Sequence, residues 1–243
     1  MHESLYPQMR ELEDRHWWFT GRRRIVAGVI RRLALPAQAR ILDAGCGTGG
    51  NLPMLAGFGE LTGAEFDAEA AALARARGVC DVVRAGLPDE MSFAAERFQL
   101  ITLLDVLEHI DDDYASLQAL ANLLAPGGHL LVTVPAFPFL WGPHDESHHH
   151  KRRYRAAGLR ARIAEAGLDV QWLSYYNSSL FPAVAAVRLL HKLLPAGEAG
   201  NELALPPAPI NVLLENLFAA ERHLLGRVRL PFGVSLMAMA RKP

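Results

Sequence analysis

Two stretches of this 243-residue chain hold side chains whose types and spacing could do chemistry. The first is HDESHHHKRRY, residues 144–154, in which four histidines stand among two acids and three basic residues. Histidine titrates near neutrality, so His144 or His150 could accept a proton, and an acid such as Asp145 could orient the ring or stabilise its charged form. Arg153 and Tyr154, with Arg152, could grip an anionic acceptor. If Tyr154 starts a helix, Arg152 and Arg153 cannot both face a pocket, and one of them is structural. Tandem histidines with acids also suit a metal. No i, i+4 helical pair and no fixed carboxylate triad is read here, so no metal is assigned. A solvated polar loop without chemistry is the plain alternative.

The second stretch is LDAGCGTGGNL, residues 42–52, a glycine-rich turn after an apolar run. Gly45, Gly47 and Gly50 fit the dinucleotide pattern G-x-G-x-x-G, and Glu65 lies near the expected distance for a ribose contact, so a nicotinamide dehydrogenase has to be weighed. The same residues also spell D-x-G-x-G-x-G, with Asp43 ahead of the first glycine. A glycine turn lets backbone approach a ligand, and the added carboxylate suits a ligand that carries a cation. S-adenosylmethionine carries an ammonium and a sulfonium.

Positioning such groups needs a scaffold, and the chain alternates short β-rich runs with longer helical patterns, as a parallel sheet covered by helices requires. Strands are expected at ARILDAG, LTGAEFD, CDVVRAG, FQLITLL, HLLVTVP and LDVQWLSYY, with a last one at GVSLMAMARK, Gly233 to Lys242. A helix is expected over Asp111 to Leu124, closed by the glycines of APGG. The segment 177–231 reads as a helical insertion with two helical runs around the loop PAGEAGNELALPPAP. One domain results, with an N-terminal helical lid (1–38), a cofactor-binding core (39–176), the insertion (177–231) and the last strand (232–243).

Composition narrows the function. Hydrophobic residues make up 51% and charged residues 21%, a globular balance, and the net charge of −1 gives no basis for bulk phosphate binding. Nucleic acid is therefore not an expected partner. Cys46 and Cys80 are too few for a disulfide framework. No secretory signal and no apolar run of the roughly 18–20 residues a membrane span needs is visible, so a soluble, cytoplasmic protein is expected.

Four motifs in order carry a resemblance over Arg40 to about Tyr176. ILDAGCGTG, the acid ending LTGAEFD, LLDVLEHI after the fourth strand and LLAPGGHLLVTVP into the fifth resemble the class I S-adenosylmethionine-dependent methyltransferases. HWWF-x-GRR and HDExxHHxRRY look like a branch of that family whose acceptor is uncharacterised. The resemblance implies a Rossmann-like α/β fold, a seven-stranded mostly parallel sheet with an antiparallel last strand and helices on both faces. It implies that S-adenosylmethionine is the cofactor, with Asp43, Gly45, Cys46 and Gly47 at its methionine part and Glu65 accepting from both ribose hydroxyls. Gly86 and Leu87, with Phe66, would meet adenine, although the acid often found there is absent. Asp105 and Val106 would line the floor. Gln99 stands where the family commonly has an acid, which weakens any role for that position. Glu108 and His109 are expected to cap and pack the following helix.

Trp17, Trp18 and Phe19 either pack an N-terminal helix on the sheet or form a lid that dries the site. In the lid reading the tryptophans meet substrate, and Arg22 or Arg23 reaches the cofactor carboxylate. In the insertion, 180–194 sets Arg188, His191 and Lys192 on one side of an apolar helix, and 211–225 is amphipathic as well. That segment caps the acceptor pocket or offers an interfacial surface for an isoprenoid or lipid-linked acceptor, so peripheral membrane contact stays open. The expected activity is methyl transfer to a small-molecule acceptor, apolar or anionic, as an O-methylation with a histidine base. The alternatives are a lipid-linked acceptor or a non-catalytic cofactor-binding module. A dehydrogenase lacks its tyrosine-x3-lysine pair here, and a nucleic-acid or protein methyltransferase is disfavoured by charge and by the lack of an Asn-Pro-Pro-aromatic motif.

Overall fold

Runs of leucine, isoleucine, valine and alanine too short for helices, and covered on both faces, are what a parallel sheet is built from. In the computed structural model, which describes residues 6–193 and 204–243, they form one sheet. Its strands are β1 (Arg40–Ala44), β2 (Glu60–Glu65), β3 (Asp81–Arg84), β4 (Phe98–Leu104), β5 (Leu124–Pro135), β6 (Asp169–Tyr176) and β7 (Ser235–Arg241), in the order β3-β2-β1-β4-β5-β7-β6. β7 runs antiparallel between β5 and β6, and the other pairings are parallel. The seven strands and the antiparallel last strand agree with the sequence reading.

Alternate side chains feed two cores, as the two-residue period of a strand requires. Leu42, Ile101 and Val132 join one cluster, which packs under α5 (Asp113–Leu123) and α7 (Ala156–Glu165). Their neighbours Ile41, Leu100 and Leu131 join the other, with Ile25 and Val29 of α2 (Trp17–Ile30). Further helices are α1 (Tyr6–Arg15), α3 (Leu52–Leu55), α4 (Ala68–Arg75), α6 (Pro143–Ser147), α8 (Phe181–Leu193) and α9 (Ala208–Ala219).

Three local expectations change. The helix expected over 111–124 starts at Asp113, because the Asp112 carboxylate accepts from the Ala115 N–H at 2.8 Å and caps it there. It ends at Leu123, since Leu124 is already extended and pairs with Phe98. The APGG glycines therefore belong to β5, where Gly127 (φ 74°) lies beside a register shift, rather than to a helix C-cap. The run 211–225 is not one helix: α9 stops at Ala219 and a 3-10 turn follows over Ala220–His223. Part of the insertion loop (194–203) and the side chains of His191 and Lys192 lie outside the described residues.

Among the described residues no helix is long and apolar enough to cross a membrane. A cavity of about 680 Å³ lined by Pro36, Gln38, Arg40, Glu60 and Gln99 opens at the amino ends of β1 and β2, the far end of the strands from the glycine turn. Gln99 serves the frame there, accepting the Arg40 N–H at 2.8 Å.

Gly233 leads into β7 at its closest approach to β6, and a Cβ on it would stand 2.2 Å from the Tyr176 carbonyl oxygen. Gly233→Ala should cost about 1–3 kcal/mol or more in urea unfolding, the range for overpacking. Gly57→Ala, with nothing within 4 Å, should stay within about 0.5 kcal/mol of the parent.

Candidate active site

Three acids stand at the carboxyl ends of adjacent strands, which is where open α/β sheets bind ligands. Asp43 lies on β1 in register with Thr102 of β4, Glu65 ends β2, and Asp105 follows β4. The turn after β1 is drawn toward β2 by the N–H groups of Gly45 and Cys46, which both donate to the Ala64 carbonyl at 2.8 and 3.0 Å. Gly45 (φ 73°) and Gly47 (φ 57°) take left-handed backbone that favours glycine, and a Cβ on Gly45 would strike Val106 at 2.5 Å. Val106 thus forms the floor beneath the turn. Asp105 holds φ 56°, with its N–H on the Thr133 carbonyl at 3.0 Å, and that geometry swings Val106 under Gly45.

Asp43 is buried, and only one of its oxygens is satisfied. Oδ1 accepts the Thr102 hydroxyl at 2.6 Å, while Oδ2 has no partner. Burial pushes the carboxyl up to about 7, against the lowering effects of Thr102 and Arg22. Glu65 is aimed by two backbone donors, Gly47 N–H at 2.8 Å on Oε2 and Asp67 N–H at 2.9 Å on Oε1. Burial raises it too, although these N–H groups pull it back. Phe66 is 64% exposed and lies over Gly86, where a Cβ would meet its ring at 2.7 Å, while Leu87 packs into the core edge. The Cys46 thiol points the other way, into the second core, and burial raises it, so only the backbone of that residue can face a ligand.

The N-terminal helices lie over the turn. Glu13 of α1 accepts the Thr48 hydroxyl at 2.5 Å and meets Arg77 at 3.3 Å, and Arg77 also holds Asp14 at 3.0 Å. A Cβ on Gly50 would stand 2.6 Å from Glu13 Oε2, so the glycine makes room for α1. On α2, Arg22 is buried, ion-paired with Asp105, and lies 4.5 Å from the ring centroid of Trp18. The tryptophans divide: Trp17 packs edge-on against Phe218 of α9 at 5.9 Å as interior filling, and Trp18 backs the Arg22–Asp105 pair. Glu13 and Thr48 were not singled out from the sequence, since nothing local links positions 35 residues apart.

The histidine-rich stretch is ordered by Asp145. That residue is fully buried on α6, and its oxygens accept from His150 Nδ1 (2.9 Å), Arg153 Nε (2.8 Å), Arg188 Nη1 (3.2 Å) and the Gly142 N–H (3.0 Å). Burial alone would raise its carboxyl, but the bonds from His150 and Arg153 and the charge of Arg188 hold it well below the usual carboxylate range. The partner of Asp145 is therefore His150 and not the adjacent His144. His144 lies on α6 with its ring 4.2 Å from that of His148, an i, i+4 pair that the sequence reading overlooked. Arg153 and Tyr154 are both bonded within the wall of the site. Arg153 is buried between Asp145 and the Ala136 carbonyl (2.6 Å), and the Tyr154 hydroxyl donates to Asp113 at 3.0 Å. Arg152 meets Asp113 at 3.1 Å, and the next helix starts only at Ala156.

Glu108 and His109 do not cap the following helix, whose cap is Asp112, and stand instead in a 3-10 turn over Leu107–His109. The Lys151 N–H donates to the Glu108 carbonyl at 2.8 Å, bringing His150 beside them, with the His109 and His150 ring centroids 4.7 Å apart. Burial, and secondly the charge of His150, push His109 down to about 4, so it is neutral at ordinary pH. Glu108 is buried and its Oε2 has no partner. The unsatisfied Asp43 oxygen, the aimed Glu65 and the glycine turn fit a ligand bearing a cation and hydroxyls, and the second cluster stands one strand further along the same edge.

Residues 18–176 match the methyltransferase domain family, so the chain belongs to it, and S-adenosylmethionine is its methyl donor. A ubiquinone biosynthesis O-methyltransferase of Xanthomonas axonopodis pv. citri is 30% identical over 158 residues, 57% of this chain and 66% of that protein. Another, from Xanthomonas euvesicatoria pv. vesicatoria, is 29% identical over 200 residues, 71% of this chain and 83% of that protein. Among solved structures, a chain from the complex of the Haloferax volcanii Trm112 methyltransferase activator with a methyltransferase superposes with a TM-score of 0.65. It is 18% identical, with 99% of this chain and 95% of that one covered. The [4+2]-cyclase SpnF superposes at 0.64 with 18% identity, covering 100% and 94%. Those likenesses establish the fold, which hosts more than one chemistry.

Two predictions concern the cofactor half. A buried Asp raised to about 7 disfavours its charged form, so its ionisation costs stability as pH rises from the unfolded value through about 7. A cationic ligand favours the charged form. S-adenosylhomocysteine affinity, measured by calorimetry, should therefore rise with pH through about 7, and Asp43→Asn should flatten that rise. Glu65→Gln should weaken the same affinity by about 1–3 kcal/mol, the worth of charge-assisted hydrogen bonds, with thermal stability little changed.

Proposed function

We propose that the protein methylates a hydroxyl oxygen of a small-molecule acceptor, with His150 taking the hydroxyl proton. The observation that carries this reading is the His150–Asp145 pair at 2.9 Å, set beside Glu108 and His109 past the end of β4. An ionised carboxylate cannot donate, so the Nδ1 that faces Asp145 carries a proton, and the base reading requires Nε2 to offer its lone pair to the acceptor. Asp145 then stabilises the imidazolium formed when the acceptor proton arrives. The names of the Xanthomonas relatives support oxygen as the methylated atom.

The bound donor supplies an electrophilic methyl group on a sulfonium. The chain's own work is alignment, exclusion of water and removal of one proton. Asp43 and Glu65 would hold the methionine part and the ribose of the donor, Arg22 fixes Asp105, and α1 lies over the glycine turn. Arg22 is ion-paired with Asp105, which supports a positioning role for it beside the expected contact with the donor's carboxylate.

An apolar portion on the acceptor is favoured by the insertion. Val187, Leu189 and Leu190 of α8 and Val212 and Leu213 of α9 are exposed, and Leu213 reaches 67%. A lipid- or isoprenoid-linked hydroxyl is the second reading that this surface supports.

The test measures S-adenosylhomocysteine formation with catechols of increasing apolar tail length. His150→Ala should lower kcat by about 10² or more and leave cofactor affinity nearly intact, while His144→Ala should stay close to the parent. Parental turnover by His150→Ala on an accepted catechol would remove the proton-transfer role.

A further inference from the structure

We propose that Glu108, His109 and His150 form a binding site for one divalent transition-metal ion of the zinc type at the acceptor end of the active site. Each residue offers one donor atom, and the three atoms lie within 4.8 Å of one another. Donors bound to zinc at about 2.0–2.2 Å in a tetrahedron stand about 3.3–3.6 Å apart, so the cluster closes on an ion through side-chain movements of about 1 Å. Two imidazoles and one carboxylate select zinc, cobalt or nickel over magnesium and calcium, which prefer all-oxygen sets. Three protein ligands leave a position open for the acceptor oxygen, as in catalytic zinc sites.

Two independent features point to a cation. Glu108 is only 1% exposed and its Oε2 lacks a hydrogen-bond partner, a costly arrangement that a metal ion would relieve. His150 is oriented through Nδ1 by a carboxylate that Arg153 and the Gly142 N–H in turn fix, the outer support that metal-bound histidines usually have. The Lys151 N–H to Glu108 carbonyl bond at 2.8 Å keeps the two chain segments together before any ion arrives.

This inference rests on the hydroxyl-acceptor reading and deepens it, committing the Nε2 lone pair to an ion instead of a proton. The acceptor hydroxyl, bound at the open position, loses its proton to solvent water. Its oxygen pair then forms the bond to the methyl carbon, and the carbon–sulfur pair stays on the departing thioether sulfur.

The experiment titrates Co²⁺ into metal-free full-length protein and follows visible absorption, with catechol methylation assayed separately before and after chelation. One Co²⁺ per chain is expected, with the intense bands of low coordination number. Glu108→Gln and His150→Ala should each weaken it by at least about 10- to 100-fold, the loss typical of an outer partner alone, and His223→Ala, on the remote 3-10 turn, should leave it unchanged. Chelation should abolish methylation and Zn²⁺ should restore it. No binding up to about 1 mM Co²⁺, or binding lost in a His144→Ala/His148→Ala double variant but kept in Glu108→Gln, would overturn the site. Methylation that survives chelation would return His150 to its role as base. Co²⁺ binding without methylation of any catechol would leave the metal site standing and count against the acceptor class instead.

Discussion

One buried carboxylate organises the histidine-rich end of this molecule. Asp145 has no exposure to water and accepts four donors from four different places: the loop before it, the loop after it, the approach to α7 and the insertion helix α8. A charge so placed is tolerable only when its partners are complete, and removing one partner of a buried ion pair typically costs about 3–5 kcal/mol. The constraint therefore runs outward. Arg153 ties Asp145 to the Ala136 carbonyl at the end of β5, and Arg188 links it to the Leu140 carbonyl through the same guanidinium at 2.6 Å. His150 is the member of the set placed against Glu108 and His109, and its ring orientation is a consequence of the others.

The cofactor half depends on a comparable arrangement of opposite sign. Arg22 is a buried cation whose charge is met by Asp105, with Trp18 across its face. Asp105 in turn fixes Val106 beneath Gly45, so α2, the strand end and the glycine turn share one electrostatic joint. Glu13 and Arg77 latch α1 across the same turn. The N-terminal helices and the strand ends are thus connected through charges, and Asp43 and Glu65 beside them have lone pairs left for a ligand.

The sheet was legible because strand identity is written in local period: Ile41 against Leu42 and Leu131 against Val132 divide the two faces as alternation demands. The acids at the strand ends were legible for the same reason, since a strand boundary fixes where its last residue lies. The histidine cluster was legible as a location and illegible as a circuit. The sequence left His144 and His150 both open as the partner of Asp145; on the short helix α6 neighbouring side chains diverge, and the left-handed turn at His149 (φ 55°) brings His150 back to Asp145. Contacts such as Arg22 with Asp105 or Arg188 with Asp145, 83 and 43 residues apart, leave no local signal. Basic and phenolic groups near a pocket look alike in sequence whether they face it or anchor its wall, and Arg153 and Tyr154 anchor it through Asp145, the Ala136 carbonyl and Asp113.

Nitrogen-15 NMR of histidine-labelled protein, with S-adenosylhomocysteine bound and a catechol then added, tests the account at its centre. The account predicts that His150 is protonated at Nδ1 with Nε2 unprotonated, and that the catechol shifts the His150 Nε2 resonance while leaving those of His144 and His148 in place. A catechol that perturbs His144 and leaves His150 unmoved, or a His150 ring protonated at Nε2 alone, would contradict it.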